Sequence, residues 1–257
     1  MSFERILYSI EKGVAAITLN RPEKRNAIDG LLIEELQTVF TASRADDAVK
    51  VLTLNGAGKD FCSGADLANL EKVRHAGVMA NMEDARAMAA LFIQMRHHPK
   101  IIIALVNGRA LAGGCGLATA CDLVLAEEPA TFGYPEVNIG FVPAMVMAIL
   151  RRSIPEKQAL ELITTGEPIT ASHAKNIGLI NHVYPQAEFL QNAAIFVNKY
   201  TQRSASALTL TKNLLYHMDT LSFEAAIEAG VHVNGIARMT DDCQTGISRF
   251  LNKSQSV

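Results

Sequence analysis

Residues 110–122 read ALAGGCGLATACD and follow closely on the apolar run IIIALV at 101–106. Three of the four residues 113–116 are glycines. Glycine loses more conformational freedom on folding than any other residue, so this density indicates that another group must approach the backbone closely. The stretch predicts a strand, a tight glycine-rich connection and a helix.

Composition bounds the class of protein. The chain has 257 residues, 49% of them apolar, which suffices for one large core or a core with an appendage. A formal net charge of -2 and a pI near 6.4 give no basic field for nucleic acid or an anionic membrane. No apolar run approaches the roughly 20 residues of a bilayer span, and the first residues lack the order of a secretory signal. Four cysteines without C-x-x-C spacing are too few for a disulfide scaffold. We therefore expect a cytoplasmic protein with reduced thiols.

The first 140 residues alternate between strand-like and helix-like segments. RILYSIEKGVAAITLN predicts two strands around a turn, and VKVLTLNG, IIIALV, DLVLAE and ATFGYPE predict further short strands. Between them, GLLIEELQTVFTASRAD predicts a helix with Asp29 as its N-cap and one apolar stripe, formed by Leu32, Leu36, Val39 and Phe40. Strands separated by helical crossovers predict an α/β fold with a mostly parallel sheet.

Beyond Pro143 the pattern becomes helical, with few strand signals. No repeat or low-complexity linker separates the two parts of the chain. We expect an α/β core over residues 1–195 and a helical C-terminal region over residues 196–257 that packs on a neighbouring subunit.

The segment NGAGKDFCSGADL at 55–67 is the first candidate site. A phosphate-loop interpretation fails, because Asp60 stands where Ser or Thr would hold magnesium. A nucleophilic Cys62 or Ser63 would need a histidine partner that no neighbouring residue supplies. The remaining interpretation is a strand-to-helix loop with Asp66 as helix cap, whose free N–H groups around residues 65–68 suit an oxyanion.

The opening stretch offers a second N–H donor, at Gly113. A dinucleotide fingerprint is an alternative, because Gly108-x-Ala110-x-x-Gly113 follows a strand and Glu127 or Glu128 lies about 20 residues on. Close helix–strand packing is another. Two such donors brought together would make an oxyanion hole, in which one donor is worth roughly a hundred- to a thousand-fold in rate.

Glu136, in TFGYPEVNIGFVP, is the candidate acid–base residue, although a lone glutamate is more often solvated than catalytic. The histidines show no metal-ligand spacing, and His97 and His98 suit a helix end. We therefore predict no metal site.

Taken together, GKDFCSGADL, ALAGGCGLATACDLVLA and FGYPEVNIGFVP resemble the three signature segments of the crotonase superfamily, the enoyl-CoA hydratases and isomerases. VAAITLNRPEKRNAID resembles that family's opening strand and CoA-contacting loop, and the likeness extends over essentially the whole chain. It implies a crotonase-like spiral ββα core with a C-terminal helical extension, an acyl-CoA substrate and no metal or redox cofactor. It also implies homotrimers, often paired into hexamers.

The resemblance implies roles for particular positions. The N–H groups of Ala65 and Gly113 would polarise the thioester carbonyl, and Glu136 would exchange protons with water or a substrate carbon. The positions implied to contact substrate are Lys24, Arg25 and Ala27 near the nucleotide, Asp66, Leu67 and Ala68 along the pantetheine and acyl channel, and Gly114 and Gly116 in the glycine run.

Gly116 departs from the pattern. Common hydratases carry a first glutamate there, which holds water together with a second glutamate at the position of Glu136. Glycine at this place, with PEV retained and GFVPAMV following, resembles bacterial hydratases of the methylglutaconyl-CoA type. Three hypotheses stay open: a single-glutamate enoyl-CoA hydratase, a Δ3,Δ2-enoyl-CoA isomerase, and a weakly active acyl-CoA-binding protein.

Overall fold

The structure is a computed structural model that describes residues 3–66, 71 and 74–254. A six-stranded sheet lies at the centre of the protein. Its strands are β1 (Ile6–Glu11), β2 (Val14–Leu19), β3 (Val51–Gly56), β4 (Ile101–Val106), β6 (Leu123–Glu127) and β9 (His182–Tyr184). Their spatial order is β1-β2-β3-β4-β6-β9. The β1–β2 hairpin is antiparallel, and every other neighbouring pair in this sheet is parallel. The predicted α/β class with a mostly parallel sheet is confirmed.

A smaller sheet carries the glycine-rich stretch. It consists of β5 (Arg109–Leu111), β7 (Thr131–Gly133) and β8 (Ile169–Thr170), in the order β5-β7-β8. β5 is parallel to β7, and β7 is antiparallel to β8. Because β5 leads straight into a helix at Gly113, the small sheet fixes where that helix begins.

Helices cover the sheet and form the second half of the chain. Their bounds are α1 (Gly30–Ala45), α2 (Val78–Arg96), α3 (Gly113–Ala120), α4 (Val146–Ser153), α5 (Glu156–Thr165), α6 (Ala171–Asn176), α7 (Phe189–Thr201), α8 (Ala205–His217), α9 (Phe223–Arg238) and α10 (Asp241–Ser254). Within the described ranges, none of the helices combines the length and apolar character that a bilayer span requires.

Successive residues of the central strands face two different cores. In β4, Ile102 and Ala104 belong to the main core, whereas Ile103 belongs to a second core that includes Phe189 and Val197 of α7. This follows from the period of two in a strand, which sends neighbouring side chains to opposite faces. Strands buried on both faces explain why these segments read as continuous apolar runs.

The predicted first helix is confirmed in detail. The carboxylate of Asp29 accepts from the N–H of Leu32 at 2.8 Å, as an N-cap should. The four residues of the predicted stripe are all buried in the main core.

The second half contains two strands that the sequence did not reveal. β8 is two residues long, and β9 extends the central sheet by pairing with β6. The predicted boundary between residues 195 and 196 falls inside α7, whose buried face packs on the central sheet. The division into a core and a C-terminal region stays a prediction.

Candidate active site

The loop after β3 is held between two other segments. The N–H of Cys62 donates to the Arg109 carbonyl at 3.0 Å, and the Cys62 carbonyl accepts from Leu111 at 3.0 Å. On the other side, the Gly64 carbonyl accepts from the N–H of Ile28 at 2.8 Å. The N–H of Asp66 then donates to the Ile28 carbonyl at 2.9 Å. Residues 62–66 therefore lie between β5 and the segment that precedes α1.

These bonds leave the N–H of Ala65 unused. In a parallel bridge, the residue opposite Ile28 directs its own N–H away from that partner. Within residues 3–66, 71 and 74–254, no acceptor for the Ala65 N–H is found. Ala65 lies in an extended bridge, so its donor is freed by strand pairing and not by the helix start that the sequence predicts. The Asp66 N–H, which falls in the same predicted group of free donors, is instead bonded to Ile28.

The second donor is at the start of α3. Ala112 adopts a positive φ of 50° as the N-cap, and its N–H donates to the Gly133 carbonyl at 2.8 Å. Gly113 is the first helical residue, and the first N–H groups of a helix have no intrahelical partner. Its N–H has no acceptor in the part of the chain that the structure describes. The helix dipole adds partial positive charge at this point.

The two donor segments are in direct contact. A Cβ built on Gly64 would lie 2.9 Å from the Cβ of Ala112 and 3.6 Å from the nitrogen of Gly113. Gly64 also has a φ of +96°, which residues with a side chain rarely adopt. Glycine at position 64 is what allows the Ala65 segment to approach the first turn of α3.

Glu136 follows the strand to which this turn is bonded. It lies in a 3-10 helix, Pro135–Ile139, three residues after Gly133. Tyr134 is fully buried, and its hydroxyl lies 3.0 Å from Oγ1 of Thr119 on α3. The Glu136 segment and α3 are therefore fixed to one another by hydrogen bonds at both ends of α3.

The carboxyl group of Glu136 is half-buried, and Oε2 has no hydrogen-bond partner among the described residues. Burial raises the pKa of Glu136 above its ordinary value of 4.5, and a hydrogen bond from its own backbone opposes this rise. A buried acceptor without a protein partner costs free energy, and such groups cluster at functional sites, so Glu136 is a candidate functional residue.

Arg21 links two segments of the candidate site, and the sequence analysis missed it. Its guanidinium lies 2.8 Å from Asp66 and 3.1 Å from Asp29, and it donates to the Ala27 carbonyl at 2.8 Å. One cation thus joins the segment before α1 to the Ala65 loop. Asp66 is bound to Arg21. Residues 67–70, which follow it and on which the predicted helix start falls, lie outside the described residues.

The predicted CoA-contacting residues sit beside this loop. Lys24 is exposed and ends the 3-10 helix Pro22–Lys24. Arg25 has a φ of 53°, and its carbonyl accepts from the N–H of Ser63 at 3.0 Å. Ala27 is buried, at 6% exposure. Leu67 and Ala68 lie outside the described residues.

The other two glycines of the run serve packing. A Cβ on Gly114 would meet the Cys62 carbonyl oxygen at 2.4 Å, and one on Gly116 would meet Cγ1 of Val146 at 2.3 Å. Contact with substrate at both positions stays a prediction.

The alternative sites are not supported by the geometry. Gly108 donates its N–H to Glu127, and a Cβ there would lie 1.9 Å from the Lys59 carbonyl oxygen, so packing explains this glycine. Burial raises the pKa of the Cys62 thiol to about 12, which disfavours a nucleophilic thiolate. His98 is buried, with Nε2 3.3 Å from the Ser43 hydroxyl. Within the described ranges, no group of three or more His, Cys, Asp or Glu side chains is placed to hold a metal ion.

The sequence model of the enoyl-CoA hydratase/isomerase family matches residues 9–257. The chain belongs to this family. It is 38% identical to a putative enoyl-CoA hydratase of Thermus thermophilus, over 96% of this chain and 98% of that protein. It is 32% identical to the 2,3-dehydroadipyl-CoA hydratase of Escherichia coli, over 96% of both. Among solved structures, an enoyl-CoA hydratase of Mycobacterium smegmatis superposes with a TM-score of 0.93 at 27% identity, covering 97% of both chains.

These matches confirm the crotonase-superfamily resemblance, the crotonase-like fold and the enoyl-CoA hydratase class. The particular likeness to methylglutaconyl-CoA hydratases has looser support, from the dehydroadipyl-CoA enzyme. The individual site residues stay predictions.

Proposed function

We propose that this enoyl-CoA hydratase/isomerase family member adds water reversibly to a 2-enoyl-CoA. The N–H groups of Ala65 and Gly113 bind the thioester oxygen, and Glu136 is the acid–base residue. The observation that carries the proposal is the contact between two backbone segments whose N–H groups lack acceptors among the described residues, next to a segment with a half-buried carboxylate.

The reaction follows from these three groups. Glu136, ionised, takes one proton from water while the oxygen of that water bonds to C3 of the enoyl thioester. The C2–C3 π electrons move to the thioester oxygen, and the two N–H groups stabilise the resulting enolate. Glu136 then gives its proton to C2, which restores the thioester carbonyl and returns the carboxylate to its starting state. Protons and electrons balance without a redox or metal cofactor.

Glu136→Gln tests the assignment, because the amide keeps the shape of the side chain and cannot take a proton from water. We expect kcat for crotonyl-CoA hydration to fall by about 10²–10⁴-fold, followed as loss of the conjugated thioester absorbance. Glu128→Gln is the matched control, since its side chain is exposed, and it should retain wild-type turnover. Full turnover in Glu136→Gln would remove Glu136 from the mechanism.

A Δ3,Δ2-enoyl-CoA isomerase is the second candidate, and the glycine at 116 favours it. A single carboxylate suffices to move one proton between two carbons of the same substrate. Parallel assays with crotonyl-CoA, 3-methylglutaconyl-CoA and a 3-enoyl-CoA separate the two reactions. Tight acyl-CoA binding without turnover of any of them would support the non-catalytic binder instead.

The remaining predictions concern binding and assembly. We infer that Lys24, Arg25 and Ala27 lie along the CoA nucleotide, because their segment is bonded to the Ala65 loop. We also infer self-association through residues 196–257 into trimers or hexamers. Its support is the set of large apolar side chains exposed on the C-terminal helices, including Phe223 at 76% and Met239 at 80%. Light scattering during size-exclusion chromatography gives the mass directly.

A further inference from the structure

We propose that Val146, together with Phe92, forms an apolar wall that keeps the site to one acid–base carboxylate. The proposal rests on the reaction proposed above. The observation behind it is the packing around Gly116, the position where the family's common hydratases carry a further glutamate.

The space beside Gly116 is already filled. A Cβ there would lie 2.3 Å from Cγ1 and 3.5 Å from Cβ of Val146, and 3.2 Å from Cζ of Phe92. Apart from atoms of its own residue, its chain neighbours and the adjoining helix backbone, a real Cβ atom essentially never has a heavy atom within 3.0 Å. Any side chain at 116 therefore requires Val146 to move.

Val146 is held firmly in place. It begins α4, is 4% exposed and belongs to the main core with Phe92, which is 7% exposed on α2. A valine in a helix has one strongly preferred χ1 rotamer, so its methyl groups cannot swing aside easily. Relief would need a shift of α4, which a close-packed interior resists.

The wall lies beside the place that the reacting carbons would occupy. Gly116 is three residues after Gly113 on α3, a rise of about 4.5 Å, and residues so spaced share one face of a helix. With its thioester oxygen on Gly113, a substrate extended along this face places C2 and C3 beside Gly116. The methyl groups of Val146 and the ring edge of Phe92 then occupy the place of a second proton donor.

The test pairs Gly116→Glu with two truncations on α4. Val146→Ala removes the atom at 2.3 Å and leaves the Cβ at 3.5 Å, which is an ordinary contact. Leu150→Ala is the matched control, because Leu150 lies on the same helix, is 1% exposed and is not among the atoms nearest to Gly116. We expect Gly116→Glu alone to melt several degrees below wild type. Adding Val146→Ala should recover most of that loss, and adding Leu150→Ala should deepen it.

The rescued variant should also gain chemistry. We expect Gly116→Glu/Val146→Ala to hydrate crotonyl-CoA with a kcat at least about tenfold above that of Val146→Ala, since a positioned acid–base group contributes 10²–10⁴-fold. Its pH–rate profile should show a second acidic ionisation that wild type lacks. Unchanged kcat with a single ionisation in the rescued variant would overturn the claim that the wall sets the number of carboxylates.

The two proposals fail in distinguishable ways. Melting measures the wall without reference to activity, so rescue by Val146→Ala without turnover in any variant would remove the proposed hydratase reaction and leave the packing claim standing. Equal melting of Gly116→Glu and wild type, or equal effects of the two truncations, would overturn the wall. If Gly116→Glu does not accumulate, Gly116→Ala in the same backgrounds tests whether Val146 blocks a side chain at 116. A single Cβ at this position is already enough to clash with Val146.

Discussion

Substituting Gly64 with alanine should separate the two backbone donors. The new Cβ would lie 2.9 Å from the Cβ of Ala112 and 3.1 Å from the Leu111 carbonyl oxygen. Carbon atoms pack at about 3.5–4.0 Å, so the two segments must move apart by roughly 0.6–1 Å. The φ of +96° adds about 1–2 kcal/mol of strain, and the overlap about 1–3 kcal/mol. We expect the free energy of unfolding to fall by roughly 2–5 kcal/mol.

Catalysis should suffer beyond this loss of stability. Donors of an oxyanion hole act at 2.7–3.1 Å from the developing charge, and losing one costs about 10²–10³-fold. Moving the segments apart by roughly 0.6–1 Å would remove most of the stabilisation that one donor gives to the developing charge. We therefore expect kcat/KM for crotonyl-CoA to fall about 100-fold.

The assay is initial-rate hydration at a temperature where urea titration shows the variant folded. Gly30→Ala is the control: a Cβ there meets nothing within 4 Å, so its stability should stay level or rise by up to about 1 kcal/mol and its kcat/KM should stay at the wild-type level. A folded Gly64→Ala enzyme with kcat/KM within twofold of wild type would refute the link between this contact and the reaction.

Three further outcomes are expected. Because Glu136 must be ionised to accept a proton and its pKa is raised, kcat/KM should decline as pH falls through a value above 4.5, and Glu136→Gln should flatten that limb. Lys212→Met leaves the buried Asp122 without its cationic partner at 2.8 Å and should lower the free energy of urea unfolding by about 3–5 kcal/mol, most of it recovered by adding Asp122→Asn. Arg109 lowers the pKa of Asp60 in the folded protein, so the pair stabilises the fold. This stabilisation is complete above the pKa of Asp60 in the unfolded chain and is lost as pH falls through its lower pKa in the folded protein. In acid unfolding followed by circular dichroism, Arg109→Gln should therefore shift the transition to higher pH.

Local pattern predicted the first half of the fold well. Helix α1 could be predicted from its Asp29 N-cap and its apolar stripe of period 3.6, because both signals depend only on nearby residues. β9 could not be found in this way, because its three residues become a strand only by pairing with β6, more than 50 residues earlier. Such a strand depends on the neighbour with which it pairs more than on its own sequence.

The same distinction between local and long-range signals applies to the residues of the candidate site. Motif resemblance pointed to Glu136 and to the glycine-rich turn, whose residues are neighbours in sequence. Arg21 carried no local signal, because its two carboxylate partners come from separate loops. Val146 reads as an ordinary apolar helix residue, and only its packing against Gly116 gives it significance. Likewise, the packing of Gly114 against Cys62 could not be read from the sequence, and the predicted substrate contact of Gly114 stays a prediction.

The pairing of Asp122 with Lys212 has a consequence for the order of synthesis. The carboxylate leaves the ribosome 90 residues before its ammonium partner, a delay of about 5–18 s at ordinary elongation rates. During that interval, the strands already made hold a negative charge that burial penalises. A nascent chain halted before residue 212 should therefore remain loosely packed and sensitive to protease, and it should become resistant only once α8 has been translated.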